Sequence, residues 1–386
     1  MIIFNNRNGE MYYSMKKIAT MTLDGYFNYG NVLQRYALGK LLADMGCVVD
    51  SLWFSEQAKL LPYWAERYPW LRKSWNWKTY IKLAINRNSI TSNMLNGSNG
   101  WEAARCAFIK SFCDRYISIR YDVDFTRVAD EYDYFVTGSD QVWNPHYADL
   151  EKLFIKFAPS EKRIAYAASI SCPEIPQDKQ QTFIDGVNGM KKISVREQAG
   201  ADLIQQLTGR RVQVVADPTM LVTAEDWRSI ARKPSWLKGD EQLLVTYFLG
   251  KRPDSVIESI ARENGLQIVN MLDERFFEHY TIAPEEWLWL IDHARFMYTD
   301  SFHGTVFSIL FRTPFVVTER VDAGCANKMT SRIDTLLAKF DLSDRRGTAA
   351  NGYMIASPLD MHYGDVDKVL AEEKQKAEAY LCHALI

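Results

Sequence analysis

Short apolar stretches and longer segments of helical periodicity alternate along most of this 386-residue chain. The stretch "KKIATMTL" (16–23) predicts a strand, and "NVLQRYALGKLLADMG" (31–46) predicts an amphipathic helix that ends at Gly46. "CVVDSLWF" (47–54) predicts the next strand. A strand, a helix and a strand in this order form a βαβ unit, which implies a parallel sheet with a right-handed crossover.

The alternation continues in two series. Strands of the first are predicted within "YDYFVTG" (132–138), "KRIAYAASI" (162–170), "KKISVREQAG" (191–200) and "RVQVVADPTM" (211–220). The second runs from "EQLLVTYFLG" (241–250) to "PFVVTE" (314–319). We therefore predict an α/β protein of two Rossmann-like domains that face a cleft. They cover 15–232 and 233–386, the second with a closing C-terminal helix.

Residues 56–101 interrupt this alternation as an aromatic and basic insertion. Between Lys59 and Arg87 the sequence has several cations and a single acid, Glu66. The whole segment contains five tryptophans, Trp64, Trp70, Trp75, Trp77 and Trp101. Tryptophan with Lys and Arg suits the interface of an anionic bilayer. The alternative is a lid or small helical subdomain that packs on the first sheet, because aromatic side chains are more often buried in protein.

Composition and charge narrow the class of protein. Hydrophobic residues make up 47% of the chain, charged residues 24%, and the net charge is −2, which indicates a globular protein with no call for a nucleic-acid partner. No apolar stretch reaches the length of a signal-peptide core or of a membrane span, so a cytoplasmic protein is expected. The six cysteines form no Cys-x-x-Cys pair, which predicts buried thiols in a reducing compartment and no structural zinc.

Polar residues follow several predicted strands, at the sheet edge where open α/β sheets bind ligands. They lie at 28–31, 139–144, 196–197, 217–219 and 300–305. Each group also has a structural interpretation. Asn28 and Asn31 suit a turn or helix cap, and Asp217 before Pro218 suits a turn. Arg196 with Glu197 suits a salt-bridged helix start.

The stretch "YTDSFHGTVFSIL" (298–310) places His303 between a strand and a helix. The N–H groups near Gly304 and Thr305, together with the helix dipole, are expected to bind an anion there. His303 can exchange a proton with that ligand, although a helix-capping histidine is the structural alternative. Arg196 and Arg332 can bind phosphate or carboxylate. The Gly-rich spacings of a P-loop and of a dinucleotide site are absent from the sequence.

Taken in order, several segments resemble the polysaccharide pyruvyl transferase family. They are "DGYFNYGNVLQRYAL", "YFVTGSDQVWNP", "RIAYAASI", "ISVREQAG", "VVADPTMLVTAEDW", "TDSFHGTVFSILFRTPFVV" and "SRIDTLLAKF". The resemblance implies a two-domain fold similar to GT-B glycosyltransferases. It also implies transfer of a pyruvyl group from phosphoenolpyruvate to two hydroxyls of one sugar, giving a cyclic ketal on a surface polysaccharide or its lipid-linked precursor. Phosphoenolpyruvate is then a co-substrate, and no further cofactor or metal is expected.

With this chemistry the candidate residues divide into three roles. The resemblance makes His303 the acid/base and Arg196 a ligand of phosphoenolpyruvate. The full assignment is His303 and Asp140 as catalytic residues; Arg196, Ser301, Gly304, Thr305 and Arg332 for the donor; and Asn28, Asn31, Ser139, Gln141, Asn144 and Asp300 for the acceptor. One position departs from the family pattern, since Ser301 stands where well-studied members carry an arginine.

Two other functions remain compatible with these residues. One is a GT-B-type glycosyltransferase that uses a nucleotide sugar, and the other is a non-catalytic subunit of a polysaccharide-assembly complex. The expected partners are phosphoenolpyruvate and a sugar or lipid-linked oligosaccharide. An acceptor on a lipid carrier would lie at the inner face of the plasma membrane, with peripheral membrane contact through 56–101.

Overall fold

The computed structural model describes residues 4–5, 11–12, 15–26, 28–53, 98–121, 123–146, 148–239, 241–320 and 330–386. Most of the insertion predicted at 56–101, with the lid or membrane contact proposed for it, lies outside these residues. Its last residues, 98–101, form the first turn of a helix.

The first half of the chain forms a seven-stranded parallel sheet and, separately, a short antiparallel pair, β1 (Phe4–Asn5) and β2 (Met11–Tyr12). The spatial order of its strands is β5-β4-β3-β6-β7-β8-β9, the order of the Rossmann fold. These strands are β3 (Lys17–Met21), β4 (Val48–Leu52), β5 (Ile119–Arg120), β6 (Tyr134–Asp140), β7 (Arg163–Ala168), β8 (Lys192–Val195) and β9 (Gln213–Val214).

The second half forms a five-stranded parallel sheet with the order β11-β10-β12-β13-β14, which is the flavodoxin-like order. Two parallel sheets confirm the predicted α/β class, and the placing of the domain boundary near residue 232 stays a prediction. The strands are β10 (Leu243–Tyr247), β11 (Gln267–Met271), β12 (Ala294–Thr299), β13 (Phe315–Thr318) and β14 (Arg346–Gly347).

Helices connect the strands in both halves. In the helix Asp254–Asn264, for example, Ile257, Ile260 and Ala261 recur at helical spacing and are buried, and Gly265 ends the helix in the left-handed conformation. The helices are α1 (Tyr29–Asp44), α2 (Ser98–Tyr116), α3 (Leu150–Leu153), α4 (Gln177–Asn188), α5 (Gln198–Thr208), α6 (Ala224–Ile230), α7 (Asp254–Asn264), α8 (Phe277–Tyr280), α9 (Pro284–Asp292), α10 (Phe302–Phe311), α11 (Thr330–Lys339) and α12 (Val366–Ala384).

The strand orders place a ligand-binding crevice in each sheet. In open parallel sheets ligands bind beyond the carboxyl ends of the strands where the strand order reverses. That point lies between β3 and β6 in the first sheet and between β10 and β12 in the second. The two crevices are therefore bordered by the segments that follow Met21, Asp140, Tyr247 and Thr299.

An aromatic contact joins the two halves beside these crevices. Trp227 of α6 packs on Phe307 of α10 with ring centres 5.0 Å apart and on Tyr36 of α1 at 5.3 Å. Trp287 of α9 lies 5.3 Å from the same Phe307. Buried aromatic rings bring large apolar areas into contact, so this cluster fixes α1 against α10.

Helix α12 returns from the second half to the first sheet. The hydroxyl of Tyr380 donates to the carbonyl of Ala165 in β7, and the Lys191 ammonium donates to the carbonyl of Ala384. Lys339 of α11 pairs with Glu373 on the same helix at 2.6 Å. The helix therefore contacts both halves.

Two predictions from the sequence concern the cysteines and membrane-spanning helices. Cys47, Cys106 and Cys113 are buried as free thiols, but Cys382 is exposed, so the expectation of buried thiols is wrong there. Within the described residues, no helix combines the length and apolar character needed to cross a bilayer.

Candidate functional site

Helix α1 begins in contact with the predicted catalytic histidine. The Asn28 side chain caps the helix by accepting from the Asn31 amide at 3.2 Å. At Gly30, an added Cβ would lie 2.0 Å from Nδ1 of His303. Only a glycine allows the helix to approach the imidazole this closely. The first turn of α1 therefore forms one wall against His303.

Replacing Gly30 with alanine is expected to displace the His303 ring and to lower turnover by on the order of 10²-fold, because catalytic groups tolerate little misplacement. Steady-state kinetics of the purified variant measures this. Gly39→Ala is the matched control, since it lies in the same helix and nothing is within 4 Å of its added Cβ. The control should keep full activity and gain roughly 0.5–1 kcal/mol of stability. Equal activity of both variants would contradict a fixed His303 position.

Asp217 is a buried carboxylate at the centre of the site. One oxygen, Oδ1, accepts from the amide and hydroxyl of Thr219, at 3.0 and 2.6 Å. The other, Oδ2, accepts from the Ser139 hydroxyl at 2.6 Å and from Arg196 at 2.5 Å. Burial acts to raise the pKa of Asp217, but the nearby His303 and the hydrogen bonds from Arg196 and Ser139 outweigh burial and hold the pKa far below its usual range. The group is therefore a carboxylate at neutral pH.

Arg196 follows β8 and is held by acids on two sides. Its Nη1 also donates to the Ser139 hydroxyl at 3.3 Å, and its Nη2 lies 3.6 Å from Oδ1 of Asp140. The guanidinium stacks 4.3 Å above the ring of Phe302 in α10. Nε and Nη2 make no hydrogen bond within the described residues. The arginine is thus fixed in place and keeps donors for a ligand.

Asp140 ends β6 with its backbone in the left-handed region, at φ 73°. This conformation is uncommon outside glycine, and Asp tolerates it better than most residues. Its carboxylate lies between Arg196 and Arg332, whose Nη1 is 3.7 Å from Oδ1. Burial acts to raise the pKa of Asp140, while these arginines and His303 lower it below the ordinary value. Asp140 is therefore charged at neutral pH.

His303 lies in the first turn of α10, a helix whose residues are all buried. Its Nε2 is 3.6 Å from Oδ2 of Asp217, and its side chain is 8% exposed. The imidazole therefore lies between the first turn of α1 and the carboxylate that follows β9. The structure brings His303, Asp140, Arg196 and Arg332 together from both halves of the chain, as the assignment to one site requires.

The start of α10 differs from the expectation. Ser301 caps the helix, with its Oγ accepting from the Gly304 amide at 3.3 Å. The amide and hydroxyl of Thr305 both donate to the Ser301 carbonyl. The helix itself therefore uses the N–H groups of Gly304 and Thr305, and the anion site predicted near these residues stays a prediction that would use other amides of the helix start. At this end of the helix, the amides of Phe302 and His303 have no hydrogen-bond acceptor among the described residues.

Asp300, assigned to acceptor binding, holds the loop after β10. Its carboxylate accepts from the amides of Leu249 and Gly250, at 2.8 and 2.7 Å, and lies 3.4 Å from Nε of Arg320. Burial raises the pKa of Asp300, although Arg320 and the two amides act against it. These contacts give the residue a loop-anchoring role that the sequence did not indicate.

The remaining acceptor candidates are buried amides near the first crevice. Oδ1 of Asn31, Nε2 of Gln141 and Nδ2 of Asn144 have no hydrogen-bond partner within the described residues. Buried polar atoms are normally bonded to protein or to another molecule. Ser139, by contrast, uses its hydroxyl on Asp217 and Arg196.

Three residues of this region were missed by the sequence assignment. Asp217 was interpreted as a turn acid, which is correct for its Oδ1 alone. Tyr247, at the end of β10, is 1% exposed beside the second crevice. Arg105 of α2 is 8% exposed and stacks on Tyr280 of α8 at 4.9 Å. The apolar run before Asp217 indicated that this residue follows a strand, at the sheet edge where ligands bind. Neither Tyr247 nor Arg105 belongs to a recognisable motif.

Solved structures of low sequence identity resemble the chain along nearly its whole length. UDP-GlcNAc 2-epimerase from Methanocaldococcus jannaschii is 10% identical, with 95% of this chain and 99% of that chain covered and a TM-score of 0.45. Alr3699/HepE from Anabaena, in complex with UDP and glucose, is 11% identical over 95% and 100%, with a TM-score of 0.43. The glycosyltransferase SnogD from Streptomyces nogalater is 10% identical over 96% and 100%, with a TM-score of 0.42.

Comparison of the sequence itself is more specific. No curated protein sequence matches the chain. The family model described as polysaccharide pyruvyl transferase matches residues 28–320, well over half of the chain. The match begins at the residue that caps α1 and includes Asp140, Arg196, Asp217 and His303. The chain belongs to the polysaccharide pyruvyl transferase family.

Proposed function

We propose that this protein transfers the pyruvyl group of phosphoenolpyruvate to two hydroxyls of one sugar in a surface polysaccharide or its lipid-linked precursor. The observation that carries the proposal is the buried contact of His303 with Asp217, 3.6 Å apart, beside the guanidinium of Arg196. Membership of the family supports the same reaction class.

The reaction sets clear demands on the site. Two acceptor hydroxyls form C–O bonds to C2 of the enolpyruvate, the C2–O bond to phosphate breaks, and C3 gains a proton to become a methyl group. One of the two hydroxyl protons balances the proton added at C3, and the other leaves with the phosphate. The site therefore needs one group that moves protons. It also needs cations that bind the carboxylate and the phosphate of the donor.

His303 meets the first demand. The charged Asp217 lies 3.6 Å from its Nε2, where it can orient the imidazole, as a buried carboxylate does for an acid/base histidine elsewhere. The wall formed by Gly30 fixes the ring. His303 can then protonate C3 in one step and accept a hydroxyl proton in the other.

Arg196 and Arg332 meet the second demand. Both lie beside Asp140, and both stack near Phe302, at 4.3 and 5.5 Å. Because a guanidinium binds oxyanions through paired N–H groups, two of them can hold a ligand with two anionic groups. Arg332 would also replace the arginine that is missing at position 301, where Ser301 caps the helix instead.

The acceptor sugar is proposed to bind at the first crevice. The atoms of Asn31, Gln141 and Asn144 that have no partner among the described residues offer one acceptor and two donors. Sugar hydroxyls both donate and accept, so they match this set. Asn31 lies after β3, and Gln141 and Asn144 lie after β6. These two strands border the crevice.

Arg196→Ala is expected to weaken binding of phosphoenolpyruvate by at least about 2 kcal/mol, roughly 30-fold, because a charge-assisted contact is lost. Isothermal titration calorimetry of folded protein measures the dissociation constant. Arg120→Ala is the control, an arginine of the edge strand β5 paired with the half-exposed Glu131. A dissociation constant that stays the same in Arg196→Ala would remove this residue from the donor site.

The function is tested by supplying a lipid-linked sugar acceptor with labelled phosphoenolpyruvate and, separately, with nucleotide sugars. Pyruvyl transfer gives phosphate release and a labelled ketal that nuclear magnetic resonance identifies. Nucleotide release with a new glycosidic bond would identify a glycosyltransferase instead. A protein that turns over neither donor, and that keeps its cellular function in His303→Ala, would be a non-catalytic assembly subunit.

A further inference from the structure

Glu197 is a buried acid that the proposed mechanism does not use. It comes directly after Arg196 at the end of β8 and is 1% exposed. The sequence suited a salt-bridged helix start here, but the Glu197 side chain makes no capping bond to α5, which begins at the next residue. Arg196 pairs instead with Asp140 and Asp217. The side chain of Glu197 is therefore used elsewhere.

One oxygen of Glu197 binds the segment that follows β7. Its Oε1 accepts from the hydroxyl of Ser169 at 3.0 Å and from the amides of Ile170 and Ser171, at 2.9 and 3.1 Å. Ser171 has a backbone φ of 54°, in the left-handed region that is uncommon for serine. Such a conformation persists only where the surrounding structure fixes it. The three bonds to Glu197 hold this segment, 169–171, in place.

Ser169 connects this segment to the end of β6. Its amide donates to the carbonyl of Asp140 at 3.0 Å, and its carbonyl accepts from the amide of Trp143 at 3.2 Å. The same Asp140 carbonyl accepts from the amide of Val142 at 2.8 Å. Asp140 also has a left-handed backbone, so its conformation needs such contacts. The turn 140–144 is thus held by 169–171, which in turn is held by Glu197.

The turn 140–144 carries side chains of the proposed site. Gln141 and Asn144 provide the two donors proposed for the acceptor sugar. The carboxylate of Asp140 lies beside Arg196, but Arg196 is also held by Asp217 at 2.5 Å, which does not depend on this turn. A displacement of the turn should therefore affect the acceptor more than the donor.

We propose that Glu197 is a positioning residue for the acceptor sugar. Its carboxyl group fixes 169–171, and this segment fixes the turn that presents Gln141 and Asn144. The inference deepens the proposed function and rests on it for the identity of the acceptor. Two neighbouring residues at the end of β8 then serve different ligands: Arg196 binds the donor, and Glu197 acts on the acceptor through the turn.

Amide hydrogen exchange of the purified protein tests these contacts without a ligand. In Glu197→Ala three donors lose their acceptor, so the amides within 140–144 and 169–171 should exchange on the order of 10-fold faster. Exchange in α7, which lies in the second half of the chain, should stay as in the wild type. Glu174→Ala is the matched control, an exposed acid three residues after Ser171 that should change neither segment.

Glu197→Gln is the conservative variant. Its side-chain carbonyl can accept all three bonds, and its amide nitrogen would replace Oε2, which accepts from no group among the described residues. Exchange in both segments should therefore stay close to that of the wild type. If Glu197→Ala does not fold, Glu197→Asp replaces it, because withdrawing the carboxyl group by one methylene should break the same bonds and accelerate the same amides.

Kinetics with the acceptor that forms a ketal separates the two ligands. Glu197→Ala should lower kcat/KM for the acceptor about 10-fold or more, because the turn that binds it is displaced. The dissociation constant of phosphoenolpyruvate, measured by calorimetry, should change much less. Glu197→Gln should recover most of the lost kcat/KM.

The proposal is overturned if the amides of 140–144 exchange at the same rate in Glu197→Ala and the wild type. It is also overturned if Glu197→Gln loses as much as Glu197→Ala, or if affinity for phosphoenolpyruvate falls as far as kcat/KM for the acceptor. Failure to form any ketal would count against the proposed function, and the positioning role would then be judged on hydrogen exchange.

Discussion

His303→Gln is expected to lower kcat by roughly 10²- to 10⁴-fold while the fold stays intact, because glutamine fills the space but cannot exchange a proton. Binding of phosphoenolpyruvate should change much less than kcat, since the arginines proposed to bind the donor remain. Phosphate release under saturating donor and acceptor measures the effect, and circular dichroism reports the fold.

The control for this variant is His293→Gln. His293 directly follows α9, stacks on Trp289 and is 49% exposed, so its loss should leave kcat unchanged. If His303→Gln turned over at the wild-type rate, the acid/base would have to be another group. A rate lost equally in both variants would point to a general defect of the protein.

Asp217→Asn is expected to destabilise the protein by on the order of 3–5 kcal/mol, because it removes the nearer of the two counter-ions of the buried Arg196. Urea unfolding at pH 7 measures this loss. Asp44→Asn is the control, since its carboxylate is 59% exposed and its pair with Lys40 is a surface pair, which should be worth little.

The same variant has a defined pH dependence. The pKa of Asp217 is lower in the folded than in the unfolded protein, where an aspartate titrates near about 3.9. Its contribution to stability is therefore fully present above that pH and is lost as the pH falls below it. The stability difference between wild type and Asp217→Asn should be constant from about pH 5 to 8 and shrink below about pH 4. A difference that stays constant into acid would contradict a charged Asp217.

Periodicity was sufficient to predict most of the fold. The apolar runs that became β6, β7, β10 and β12 are buried strands, and the helical pattern after the first strand is α1. The turn at 298–310 was also placed correctly, because Ser301 is a typical N-cap and His303 follows it. These features depend on residues close together in the sequence.

The pairing of groups across the two halves could not be predicted in this way. Asp217 was expected to make a turn, and it does so through one oxygen while the other binds Arg196 and lies near His303. The contact of Gly30 with His303 joins residues far apart in the chain and depends on how α1 packs against α10. Such pairings are set by tertiary packing, which local patterns do not encode.

The return of α12 to the first sheet affects the order in which the chain can fold during synthesis. The Tyr380 hydroxyl donates a hydrogen bond to the carbonyl of Ala165 in β7, which lies 215 positions earlier in the sequence. Until the ribosome has released α12, the part of the sheet around β7 lacks that cover and exposes apolar side chains. Long-range contacts of this kind slow folding, and the partly covered sheet is prone to aggregate. We therefore expect nascent chains that stop before residue 366 to remain bound to chaperones even though both sheets are complete.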